Sequence, residues 1–141
     1  MFAANVRKSR AFTLVELIVI IVVLAILSGV AIPKYIDYTA NAKSSAGKAT
    51  IGAVRTAIAN FYANSALTGT AAFPTLVQLQ TLGTVMQEAI PNNPYNNANT
   101  IVAATWAATP PTAGAQGYAY DVAVGRFWMN SATAGVSENL W

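Results

Sequence analysis

The longest unbroken apolar run in this 141-residue chain is Leu17 to Leu27, eleven residues, and Phe12 to Ile32 extends it to 21 positions interrupted only by Thr13, Glu16, Ser28 and Gly29. At about 1.5 Å of rise per residue a helix of that length covers roughly 30 Å, the thickness of a bilayer's hydrocarbon core. Seven of the eleven are β-branched. That choice disfavours a helix in water, but it is harmless in lipid, where every backbone group must be bonded internally. Pro33 removes a backbone donor and crowds the preceding turn, which predicts a kink near Gly29 to Pro33; the alternative is that Pro33 ends the helix.

Continuation is the preferred reading. Ile36, Ala40, Lys43, Gly47, Ile51, Val54, Ile58 and Phe61 recur at three- and four-residue steps, one face of a helix. Lys34, Asp37, Asn41, Ser44, Lys48 and Arg55 fall mostly away from that face. The pattern predicts an amphipathic helix to about Asn64, so that the whole element, some fifty residues, reaches roughly 80 Å. Gly47 and Gly52 are either close-packing points or tolerated surface glycines, each weakening the helix by about 1 kcal/mol relative to alanine.

Beyond Ser65 the period changes. Ser65 to Phe73 is a loop of small residues, and after Pro74 the segment Thr75 to Thr81, with Leu76, Val77, Leu79 and Leu82, predicts a short helix lying on a core. Ile90 to Asn99 is a turn-rich loop, Thr100 to Thr105 reads as a strand, and a second loop surrounds Pro110 to Gly117. Tyr118 to Val124 and Arg126 to Asn130 flank Gly125 as a hairpin. The expected fold class is α+β: a long kinked N-terminal helix packed on a small antiparallel sheet.

Charge changes the picture only in its placement. The formal net charge is +3, yet from Phe12 onward five bases meet five acids. The excess therefore lies in Arg7, Lys8 and Arg10, where positive charge holds a segment's N-terminus on the cytoplasmic side. From Ser65 onward one base, Arg126, faces three acids, which disfavours a phosphate-binding surface and nucleic acid as partner. The chain has neither cysteine nor histidine. Disulfides, thiol nucleophiles, histidine-based triads and zinc or haem sites built on those residues are thereby excluded. Glu88, Asp121 and Glu138 form no recognisable catalytic motif, and the expectation is a protein that is not an enzyme.

Glu16 is the residue that discriminates among readings of the N-terminus. An acid at the centre of a membrane helix costs about 2.5 to 3.5 kcal/mol on insertion scales. An ordinary secretory signal, cut after a small residue such as Ala31, has no use for that cost, and neither has a plain single-span anchor. A third reading gives Glu16 a partner.

The stretch RKSRAFTLVELIVIIVVLAIL, Arg7 to Leu27, resembles the N-terminus of type IV pilins and of the pseudopilins of type II secretion. The resemblance implies cleavage between Ala11 and Phe12 by a dedicated membrane peptidase that also methylates the new amine of Phe12. It places Glu16 fifth in the mature chain, where it pairs with the N-terminal amine of a neighbouring subunit. A carboxylate so paired loses much of its burial penalty, which favours assembly over the isolated subunit. Ala11 departs from the glycine usual before the cut. VAIPKYIDYTANAK, Val30 to Lys43, is similar to the family's continuation past the membrane segment.

FPTL, PNNP and GYAYDVAVGRFWMN, from Phe73, Pro91 and Gly117, resemble the heads of small pilins and major pseudopilins. Many pilins close this region with a disulfide, and major pseudopilins often use calcium. No cofactor is expected here; a calcium site near Asn92 to Asn99 or the C-terminus is the alternative to structural turn asparagines.

The resemblance thus implies a cleaved leader (1–11), a transmembrane and assembly half-helix (12–33), an amphipathic half (34–64) and a globular head (65–141). It implies a structural subunit of a type IV pilus-like filament. A major pseudopilin is the alternative, and an ordinary secreted or anchored protein a distant one. Expected partners are copies of the chain, the prepilin peptidase and methylase, an inner-membrane assembly platform with its ATPase, and the bilayer before assembly. The expected location is the bacterial inner membrane, N-terminus cytoplasmic and head outside, then an extracellular pilus or periplasmic pseudopilus.

Overall fold

The computed structural model describes residues 12–141, so Arg7, Lys8, Arg10 and Ala11 lie outside the described residues. Helix α1 runs from Leu14 to Leu67, 54 residues with Pro33 inside it. It is followed by helix α2 (Leu76–Gln80), strands β1 (Ile101–Ala103), β2 (Tyr118–Asp121) and β3 (Arg126–Met129), and a 3₁₀ turn at Glu138–Leu140. The α+β architecture is the expected one, and continuation through Pro33 is the helix reading that holds. The chain divides into two compact units, the first ending at Thr39 and the second comprising Ala40–Trp141.

The described residues of the first unit contribute no core. Every residue from Phe12 to Thr39 is exposed, and the apolar window of α1 is long and apolar enough to cross a membrane with none of it buried.

In the second unit α1 becomes amphipathic in fact as well as in sequence, burying Gly47, Ile51, Val54 and Ile58. Ile51, Val54 and Ile58 pack in one cluster with Leu79, Ile90, Ile101, Tyr118, Tyr120, Phe127 and Met129. The predicted face is shortened at its start. Ile36, Ala40 and Lys43 are exposed, because the core cluster takes nothing from α1 before Ile51. Arg55, placed by periodicity on the polar side, is half-buried; its Nε donates to the Phe127 carbonyl at 2.9 Å and its Nη2 to the Trp141 carbonyl. Burial lowers the pKa of the Arg55 guanidinium, and Arg126 adds to the effect.

The sheet corrects one expectation: it is mixed, not antiparallel. Its order is β1-β2-β3. The β2–β3 hairpin is antiparallel, pairing Tyr118 with Met129 and Asp121 with Arg126, but β1 lies parallel to β2, Ile101 opposite Tyr118. Parallel neighbours need a connection of about a dozen residues or more, and the loop from Ala104 to Gly117 supplies it. That loop also covers the sheet face turned away from the core cluster. There Trp128 is fully buried, donates Nε1–H to the Pro111 carbonyl at 3.1 Å and meets Trp106 edge-on at 5.3 Å.

Buried amides do the fastening. Asn130 exchanges hydrogen bonds with Ala113 and donates to the Gln116 carbonyl. Asn93 donates to the Gly117 carbonyl at 2.7 Å and to Ser131 Oγ at 3.0 Å. Gly117 is required at its place, since a Cβ there would collide with the Ala98 carbonyl. Asp121 is buried too, accepting from the backbone N–H of Trp106 at 2.6 Å and of Ala123 at 2.9 Å. It therefore joins the crossover loop to the hairpin.

Candidate functional site

The N-terminal end of α1 is built from three residues. Phe12 is 78% exposed, Thr13 precedes the first helical residue, and Glu16 sits in the first turn. Thr13 donates its backbone N–H and its Oγ1–H to Glu16 Oε2, both at 2.9 Å, while Glu16 N–H donates to Thr13 Oγ1 at 3.2 Å. This reciprocal pair is a capping box: it satisfies two of the amide donors that a helix start leaves unpartnered.

The reading from sequence missed this role, although a signal was present. Thr13-Leu-Val-Glu16 is the Thr-x-x-Glu pattern that precedes an apolar run. The chain uses it again at Thr75-Leu-Val-Gln78, where Thr75 caps α2 with the same reciprocal bonds. Glu16 is thus held locally, by a residue of its own helix start. A capped carboxylate still carries its charge, and two hydrogen bonds from Thr13 do not neutralise it; a cation remains its natural further partner.

Gly29 and Pro33 lie inside α1, and a Cβ at Gly29 would meet nothing within 4 Å. Gly47 and Gly52 separate. A Cβ at Gly47 would run into Met129 and approach Trp141, whereas at Gly52 it would meet nothing. Gly47 is a close-packing point and Gly52 a tolerated surface glycine.

The three acids considered for catalysis or calcium do not converge. Among the described residues no group of three or more metal-ligating side chains comes together. Asp121 is engaged as described above. Glu138 is fully buried, and its carboxylate accepts the backbone N–H and the hydroxyl of Thr133, both at 2.8 Å. Burial works to raise the Glu138 pKa, but the hydrogen bonds from Thr133 and Ser131 outweigh it and hold the group below the ordinary glutamate value. Asn92, Asn93, Asn96 and Asn97 are occupied by loop hydrogen bonds.

The comparisons with known proteins concentrate on the N-terminal segment. Residues 6–32 match the prokaryotic N-terminal methylation motif. The type IV major pilin protein PilA of Myxococcus xanthus is 36% identical over 55 residues, 39% of this chain and 25% of that protein. The type IV narrow pilus major component PilA5 of Thermus thermophilus is 40% identical over 52 residues, 37% of this chain and 45% of the relative. The type IV major pilin protein PilE of Neisseria gonorrhoeae is 38% identical over 55 residues, 39% and 33%. The chain spans between a quarter and less than half of the length of these relatives. No solved structure matches it. The chain carries the prokaryotic N-terminal methylation motif and is similar over its N-terminal part to type IV pilins.

Proposed function

We propose that this protein is the precursor of a structural, non-enzymatic subunit of a type IV pilus-like filament. The observation that carries the proposal is the pairing of an apolar helix without internal cover, Leu14 to Ile32, with an acid at its start and a methylation motif across it. Such a surface in water aggregates. It requires lipid or further copies of itself, and a helical assembly of identical subunits supplies the second. The names of the relatives, major pilins and a narrow pilus component, favour a pilus over a secretion pseudopilus.

Processing supplies the partner that Glu16 lacks. Cutting between Ala11 and Phe12 removes Arg7, Lys8 and Arg10, the charges that hold the N-terminus on the cytoplasmic side, and creates an α-amine on Phe12. Methylation leaves that amine cationic. In the filament the amine of one subunit meets Glu16 of the next, so that two charges enter an apolar interior as a pair. A bend near Gly29 to Pro33, where the helix lacks one backbone donor, lets the apolar half adjust to its neighbours. The inner membrane is the starting compartment, and the peptidase, an assembly platform and its ATPase are the machinery.

Intact-mass analysis of the protein recovered from membranes and from sheared filaments tests the reading. A chain beginning at methylated Phe12 is the expected result. A chain beginning at Ile32, after cleavage at Ala31, would identify a secretory signal and end the proposal.

A further inference from the structure

The apolar run of α1 stops at a group of amphipathic residues that neither processing nor subunit pairing uses. Lys34, Tyr35 and Tyr38 follow Pro33 directly, and the two tyrosines are 71% and 67% exposed. Three residues apart, they lie on one side of the helix. Here they adjoin a long exposed apolar surface, and a contiguous patch of that kind marks a membrane or protein contact. Tyrosine with lysine at the end of an apolar span is the composition of a membrane–water boundary, where the ring lies among acyl chains, the hydroxyl reaches headgroups and the lysine stem snorkels. The spacing agrees. From the helix start at Leu14 to Lys34 the rise is about 30 Å, one hydrocarbon thickness.

We infer that Lys34, Tyr35 and Tyr38 form an interfacial anchor that grips the outer headgroup layer and fixes the depth of the helix in the bilayer before assembly. The inference rests on the membrane-to-filament reading proposed above. Its consequence reaches the other end of the span. With Lys34 at the outer boundary, Thr13 and Glu16 fall at the inner one, where the capped carboxylate keeps contact with water instead of sitting at the bilayer centre. The anchor therefore holds the subunit at a depth where its charge is tolerated, and extraction must break it.

The absence of cysteine makes single-site spin labelling direct. The full chain is reconstituted in phosphatidylethanolamine–phosphatidylglycerol vesicles with a label at Leu24→Cys, Ile36→Cys or Val77→Cys, and accessibility to oxygen and to an aqueous nickel chelate gives depth. The label at 24 is expected near the bilayer centre, the label at 36 at headgroup depth and the label at 77 in water. Replacing both Tyr35 and Tyr38 by alanine is expected to shift the label at 36 by about 3 Å, two residues' rise, or more. A label at 36 as open to the chelate as that at 77, or unmoved by the double substitution, overturns the anchor while the label at 24 still reports a membrane span. A label at 24 outside the hydrocarbon overturns the membrane reading and the anchor with it. Protection at 36 that grows with the protein-to-lipid ratio assigns the face to a second copy and also overturns the anchor.

Discussion

Residues 12–39 and residues 40–141 solve the burial problem in opposite ways. The first stretch is exposed along its whole length, with an apolar surface as far as Ile32, and takes from within its backbone hydrogen bonds, the Thr13–Glu16 cap and the bond from the Thr39 hydroxyl to the Ile36 carbonyl. The second builds a closed core from α1, α2 and the sheet, covers both sheet faces and satisfies every buried side-chain polar atom described. The difference teaches where each region's stability resides. One depends on what surrounds it, the other on its own packing, so substitutions in the two should have separable effects.

The largest expected effect lies in the head. Phe127→Ala removes a fully buried ring stacked on Tyr118 at 5.1 Å and should cost about 3 to 5 kcal/mol, read by chemical denaturation. The proposed processing at Ala11–Phe12 should be unchanged. A loss of processing would mean that the two regions are not independent.

Next comes pH, through the titratable groups of the head. The folded-state pKa of Glu138 is depressed, so its contribution is complete above the ordinary glutamate value near 4.5 and is lost as pH falls below that value through the folded one. Tyr118 and Tyr120 are pushed up to about 12 by burial, Tyr120 also by Asp121. Their contribution is present below the usual tyrosine value near 10 and disappears as pH rises from there through about 12. Glu138→Gln should cost about 2 kcal/mol at neutral pH and flatten the acid limb of a stability-against-pH curve, because a neutral amide cannot accept both Thr133 donors as a carboxylate does.

The smallest effects sharpen the comparison along α1 itself. Gly47→Ala should destabilise by about 1 kcal/mol, overpacking against Met129 and Trp141 exceeding the helix propensity gained. Gly52→Ala, with open space around it, should stabilise by about 1 kcal/mol. Thermal melts of the two variants should move in opposite directions.

How much of this was legible in the sequence follows the same division. The apolar run, its length and its acid were readable because a membrane-length helix is one long local signal, and the Gly47-Ile51-Val54-Ile58 repeat gave the core face for the same reason. The parallel pairing of β1 was not readable. Nothing within Thr100 to Thr105 specifies direction, which is set by the loop from Ala104 to Gly117 returning the chain to the same end of the sheet. Arg55 was misplaced because periodicity assigns a face but does not see a carbonyl at Phe127 within reach. The cap made by Glu16 was readable and was missed: an acid inside an apolar run drew attention to its charge, while the Thr-x-x-Glu spacing explained its local bonds.

Those two roles of Glu16 are separable in one variant. Glu16→Gln keeps a side-chain oxygen for Thr13, as Gln78 does for Thr75, but removes the charge. If Glu16 pairs with the Phe12 amine of a neighbour, cells carrying Glu16→Gln will process the precursor normally and yield few or no filaments by electron microscopy of sheared material. Filaments in normal number from Glu16→Gln would show that the helix cap is all this residue provides and would contradict the pairing that underlies assembly.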